Sequence, residues 1–71
     1  MKSKTGNATV DATMLAAEAT RQGVVNVAGV SQTTANTATI VYYRALLAAN
    51  LAAGLDAGSE IAALKSLGAT I

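Results

Sequence analysis

The sequence predicts an all-α fold, in which two main helices form a helical hairpin and a short C-terminal helix follows. Three observations predict this fold class. Ala, the strongest helix former, provides 17 of the 71 residues. Pro, which interrupts helices, is absent from the chain. Apolar residues recur at spacings of three and four in the longer segments, as expected for helices that pack on one face.

The start of the first helix divides the chain into a tail and one domain. Residues 1–8 are polar and contain a Gly, so we expect a flexible N-terminal tail, with a single helical domain over 9–71. Asn7 or Thr9 suits the N-cap position. Asp11 would then lie in the first turn, where the helix dipole favours a carboxylate.

The first helix is predicted to run from about Val10 to Val27 or Ala28, with Gly29 just beyond its C-terminus. Its packed face is predicted from apolar spacing and consists of Val10, Met14, Ala17 and Val24, with Arg21 interrupting it. The β-branched run at 24–30 would also suit a strand. No second run offers a partner strand, so the sequence favours the helix.

The second helix is predicted over roughly 34–53, with Ser31, Thr33 or Thr34 as its cap. Its apolar face follows spacings of three and four through Ile40, Tyr43, Leu47 and Leu51, and Leu55 comes next. Gly54 is predicted to end it. Because no Pro separates the second and third helices, the two could also form one continuous helix.

The third helix is short. Asp56 or Ser59 is predicted to cap it, Glu60 lies in its first turn, Lys65 lies in its last turn and Gly68 follows its end. Its apolar face is predicted to consist of Ile61, Leu64 and Leu67.

The composition excludes most enzyme chemistry. There is no His and no Cys, so the chain lacks an imidazole base, a thiolate nucleophile, a disulfide and the common ligands of zinc. Asp56 and Glu60 are four residues apart, but capping and first-turn roles explain both carboxylates. The glycines match no phosphate-binding motif. We therefore expect no enzymatic activity, no catalytic residues, no metal and no cofactor.

The charges are few and scattered. The net charge is +1, without a basic stripe, so the sequence gives no indication of nucleic-acid recognition. Glu18 and Arg21, three residues apart, are predicted to pair on the surface. Lys2 and Lys4 resemble the start of a secretory signal, but no apolar segment follows them. The sequence therefore favours synthesis in the cytoplasm without a signal peptide.

Size and composition together indicate assembly. Domains this short are usually marginal unless disulfides, metals or oligomerisation support them. Tyr42 and Tyr43 are the only aromatic residues, and most apolar side chains are small. We expect self-association, or packing against a larger structural protein.

Rows of small residues mark the expected contacts between copies, because they allow helix backbones to approach closely. The alternative is that these rows only reflect the helix propensity of Ala. Tyr42 and Arg44 either join a contact triad with Tyr43, or face solvent while Tyr43 packs inside. The interface candidates are Ala12, Ala16, Ala19, Gly23, Tyr42, Tyr43, Arg44, Ala45, Ala49 and Ala53.

The apolar segment 38–55 raises an alternative, a membrane-active helical peptide of the holin-like or bacteriocin-like kind. Arg44 and Asn50 oppose insertion of this segment into a bilayer. In the preferred interpretation the helix is buried in a protein assembly, where Arg44 pairs with a carboxylate of a neighbouring helix or copy. Its expected partners are two acids of the first helix within one copy and two acids near the third helix across a contact, namely Asp11, Glu18, Asp56 and Glu60.

The sequence therefore favours a structural role, as a small helical subunit present in many copies. A virion component of a bacterial virus, or a filament or sheath subunit, fits such a chain, and a virion or other extracellular assembly is its expected location.

Overall fold

A computed structural model describes residues 7–69 and shows three helices and, in this part of the chain, no strand. The helices are α1 (Ala8–Val25), α2 (Gln32–Ala52) and α3 (Gly58–Ser66). α1 and α2 pack along each other, and α3 packs on α2. The predicted all-α fold with two main helices and a short third one is confirmed.

Asn7 begins α1 as its N-cap. Its backbone is extended, and its side-chain oxygen accepts a hydrogen bond of 3.0 Å from the Val10 amide. The helix includes Ala8, so it starts two residues earlier than predicted. The predicted tail otherwise lies outside the described residues.

α1 ends at Val25, two to three residues before the predicted end, and Asn26 is its C-cap. The Val27 amide bonds the carbonyl of Val24, three residues back, so the chain has already left the α-helical pattern there. Gly29, predicted to follow the helix directly, has φ 79° but lies further along the connecting turn. The strand alternative is also wrong, because this segment is helix and turn.

Ser31 caps α2, and its hydroxyl oxygen accepts a hydrogen bond of 3.1 Å from the Thr34 amide. At the other end Gly54 adopts φ 73°, a left-handed conformation that favours glycine. There the Leu55 amide bonds the Asn50 carbonyl at 2.8 Å and the Gly54 amide bonds the Leu51 carbonyl at 3.1 Å, which is a Schellman motif. The predicted stop at Gly54 is confirmed, and α2 and α3 are separate helices.

The N-cap of α3 is Ala57, so the predicted caps Asp56 and Ser59 are wrong. Asp56 lies one residue earlier, where its carboxylate accepts a hydrogen bond of 3.2 Å from the Gly58 amide. The carboxylate therefore still satisfies an otherwise unbonded amide of the first turn. Gly68, with φ 75°, follows the end of α3 as predicted.

The buried core is small. Its apolar members are Val10, Met14, Leu46, Ala57 and Leu64. Val10 and Met14 are buried as predicted for the packed face of α1, whereas Ala17 and Val24 are half-buried. Leu64 is on the predicted face of α3. With so few buried apolar residues, much of the apolar content of residues 7–69 remains at the surface.

The packed face of α2 differs from the prediction. Leu46 and Asn50 are its buried residues, whereas Leu51, predicted on this face, is 62% exposed. Asn50 is buried because its side chain bonds Glu60 of α3 at 3.1 Å. A polar residue therefore occupies a core position. The buried residues Leu46 and Asn50 each lie one residue before the predicted Leu47 and Leu51.

Candidate assembly interface

The side of α1 that faces away from α2 carries mostly small and apolar residues. With 3.6 residues per turn, its positions lie opposite the buried Val10 and Met14. Leu15, its largest member, is 51% exposed. We call this surface the α1 outer face; its exposed residues are Ala12, Leu15, Ala16, Ala19 and Gly23. The small-residue row predicted on the first helix is therefore at the surface. Ala16, at the edge of this row, also lines a groove between α1 and α2.

The corresponding side of α2 carries larger side chains. Val41 is 56% exposed, and Leu51 is the most exposed large apolar residue of the described chain. Arg44 is the one charged residue of α2. We call this surface the α2 outer face; its exposed residues are Thr37, Val41, Arg44, Ala48, Leu51 and Ala52.

Arg44 is exposed on this outer face, so it is not buried within one copy, and its burial in an assembly stays a prediction. The apolar composition around it in sequence suggested burial. However, Arg44 lies about half a turn away from the buried Leu46, on the side of α2 turned away from α1.

A groove runs between α1 and α2, with a volume of about 530 Å³. Most of its walls are small residues, namely Thr13, Ala16, Ala17, Thr20, Arg21, Val24, Ala38, Val41, Tyr42 and Ala45. Three of the predicted interface residues, Ala16, Tyr42 and Ala45, are thus brought together in the groove. Of the other candidates on α2, Ala49 is half-buried and Ala53 is the exposed C-cap.

Polar contacts join the two long helices. Arg21 forms the predicted ion pair with Glu18, at 3.7 Å, and its Nε also donates a hydrogen bond of 3.1 Å to Thr39 on α2. The Tyr42 hydroxyl donates a hydrogen bond to the Glu18 carboxylate. Arg21 therefore interrupts the apolar face of α1 because it binds α2. The spacing of residues along α1 could not predict that Arg21 bonds Thr39, because Thr39 lies on α2.

The two tyrosines contact each other edge to face, with ring centroids 5.1 Å apart at 74°. Both are half-buried, so the arrangement that leaves Tyr42 in solvent and packs Tyr43 inside is only partly correct, while the contact triad stays a prediction. Tyr42 packs rather than facing solvent, and Arg44 alone is exposed.

Tyr42 is expected to make stability depend on pH in alkaline solution. Burial, and then the neighbouring Glu18 carboxylate, raise the pKa of Tyr42 above its usual value. The folded protein holds the proton of the Tyr42 hydroxyl more tightly than the unfolded chain does. The resulting contribution to folding stability is therefore complete below the pKa of tyrosine in the unfolded chain, about 10. It is lost as the pH rises through the higher folded value. In Tyr42→Phe the free energy of unfolding should fall less steeply over this range. Denaturant titrations at several alkaline pH values would measure the free energy of unfolding of the variant and the wild type. If this free energy falls equally steeply with pH in both proteins, Tyr42 is not the group responsible.

A second cleft, of about 260 Å³, lies where the three helices meet. Asn50 lines it and is only 5% exposed. Its Nδ2 donates to Glu60, while its Oδ1 is buried without a hydrogen-bond partner. The other lining residues are Val10, Met14, Tyr42, Tyr43, Leu46, Ser59 and Glu60. Glu60 thus binds Asn50 while Asp56 binds a backbone amide, so the two carboxylates have separate structural roles.

The unsatisfied oxygen of Asn50 predicts that Glu60→Gln stabilises the protein. A glutamine retains an acceptor for Asn50 Nδ2 and adds an amide donor for Asn50 Oδ1. Gaining one hydrogen bond in place of an unpaired buried acceptor should add about 1 kcal/mol to the free energy of unfolding. Glu60→Ala, which removes both options, should lower it. Urea unfolding of dilute protein would measure both changes, and a destabilised Glu60→Gln variant would refute this account of the cleft.

Within residues 7–69, no three His, Cys, Asp or Glu side chains come together in a group that could hold a metal ion. In the same residues, no helix combines the length and the apolar character needed to cross a membrane. The chain matches no known family model, no curated protein and no solved structure.

Proposed function

We propose that this chain is a structural subunit that associates with copies of itself through the outer faces of α1 and α2. The observation that carries the proposal is the position of the apolar residues. Both long helices carry exposed apolar residues on the side turned away from their mutual contact, such as Leu15 on α1 and Leu51 on α2. Ala16 and Val41 lie at the edges of these faces, beside the groove between the helices.

The small core supports this proposal. Only five apolar residues are buried in the described part of the chain, and α3 adds one of them, Leu64. In contrast, Leu15, Val41 and Leu51 remain more than half exposed. Fully burying an exposed side chain of this size contributes about 1.5–3 kcal/mol, so covering the exposed half of each of these three would add roughly half that amount to the stability of an assembly.

For the kind of assembly, we propose a virion of a bacterial virus, or a filament or sheath, because the composition of the chain favours these. Such a role needs many copies of one small, rigid unit. Helices with defined ends, capped by Asn7 and Ser31 and stopped at Gly54, suit a unit of that kind.

Thermal unfolding over a range of protein concentrations tests the proposal. If association stabilises the fold, the melting temperature and the helix content seen by circular dichroism should rise with concentration. A sharp melt at the same temperature throughout would overturn the proposal. Association only after a larger partner protein is added would do the same.

A further inference from the structure

We propose that copies of this chain join head to tail, with the α1 outer face of one copy on the α2 outer face of the next. This inference rests on the proposed self-association and adds its geometry. The partner is a second copy of the chain, and the two contacting surfaces are different.

The charges beside the two outer faces are complementary. Asp11 and Glu18 lie four residues before and three residues after Leu15, so both are its neighbours on the surface of α1. Glu18 also accepts a hydrogen bond from Gln22 and pairs with Arg21 within its own helix. The α2 outer face carries Arg44 and no acid. A contact between α1 and the α2 of another copy therefore brings opposite charges together.

Two-fold contacts bring like charges together instead. If two α1 helices pack antiparallel around Leu15, Asp11 of each copy faces Glu18 of the other. If two α2 helices pack around Arg44, the two guanidinium groups approach each other. Like charges in a contact oppose association, so both symmetric arrangements are disfavoured relative to the head-to-tail one.

The shapes of the two outer faces also favour the head-to-tail contact. The α1 outer face consists of Ala and Gly apart from Leu15, so another helix can come close to its backbone. The α2 outer face offers the protruding side chains Val41 and Leu51. Because the two surfaces differ, each added copy leaves one unused face of each kind. Such contacts continue into a ring or an open filament.

Mixing two face-blocked variants tests the geometry. Leu15→Arg places a cation opposite Arg44 of the next copy and blocks the α1 outer face. Leu51→Glu places an anion opposite the acids of α1 and blocks the α2 outer face. Each variant alone should be a monomer, whereas an equimolar mixture should form a complex of twice the 7.0 kDa chain mass. Analytical ultracentrifugation of the full chain would measure these masses.

Two control variants, Ser66→Arg and Ala62→Glu, place the same charges on exposed positions of α3 and should assemble like the wild type. Ala19→Arg with Ala48→Glu forms a second blocked pair, for use if either leucine variant loses helix content. If the wild type assembles but neither mixture gives the two-chain complex, the head-to-tail arrangement is wrong and the proposed self-association stands. If the wild type itself stays monomeric, the proposed self-association is wrong as well.

Discussion

Leu64→Ala is expected to release α3 from the hairpin and to destabilise the protein by about 3 kcal/mol. Leu64 is 0% exposed and is the buried residue of α3. Its removal leaves a cavity between α3 and α2 that a nine-residue helix has few other contacts to close. In a marginally stable small domain this loss is a large part of the total stability. Urea unfolding of dilute protein measures it.

Leu51→Ala provides the matched control, because it makes the same change on the α2 outer face. An exposed position should alter the stability of the single chain by no more than about 0.5 kcal/mol. The same variant should nevertheless weaken association, since it removes apolar area from the proposed contact. Equal unfolding free energies for Leu64→Ala and Leu51→Ala would contradict the packing described for α3.

Ala16→Leu is expected to weaken self-association about 10- to 100-fold while leaving helix content almost unchanged. Leu is nearly as good a helix former as Ala, so α1 should still form. A larger side chain at a close helix contact costs about 1–3 kcal/mol, and each 1.4 kcal/mol corresponds to a tenfold change in affinity. Sedimentation of the variant over a range of concentrations would give the dissociation constant.

The control for Ala16→Leu is Ala62→Leu, which changes an exposed alanine of α3 instead of α1. It should associate as the wild type does. Ala49→Leu is a less clean test, because Ala49 is half-buried and a leucine there would also strain the packing within the chain. If Ala16→Leu associates as tightly as the wild type, close approach at the α1 outer face is ruled out.

Local chemistry made the helices and most of their ends predictable from the sequence. The caps at Asn7 and Ser31 and the stops at Gly54 and Gly68 depend on residues within a few positions of each end. Capping side chains and left-handed glycines act on their own turn of backbone, so one sequence contains the information that locates them.

The contacts between helices were less predictable. Asn50 is buried because Glu60, ten residues away, accepts its hydrogen bond, and apolar spacing assigns a polar residue to the surface. Arg44 shows the opposite case, since an apolar sequence around it suggested burial although the helix turns it outward. The α1 small-residue row was recognised in sequence, but its place at the surface depends on which face of α1 meets α2.

The molar mass in detergent-free buffer across a wide concentration series is the most direct test of self-association. Sedimentation equilibrium should give a mass above that of the 7.0 kDa chain, rising with concentration as copies add to one another. A constant mass of 7.0 kDa at every concentration would contradict the account. A constant monomer mass together with binding to lipid vesicles would instead favour the membrane-active alternative.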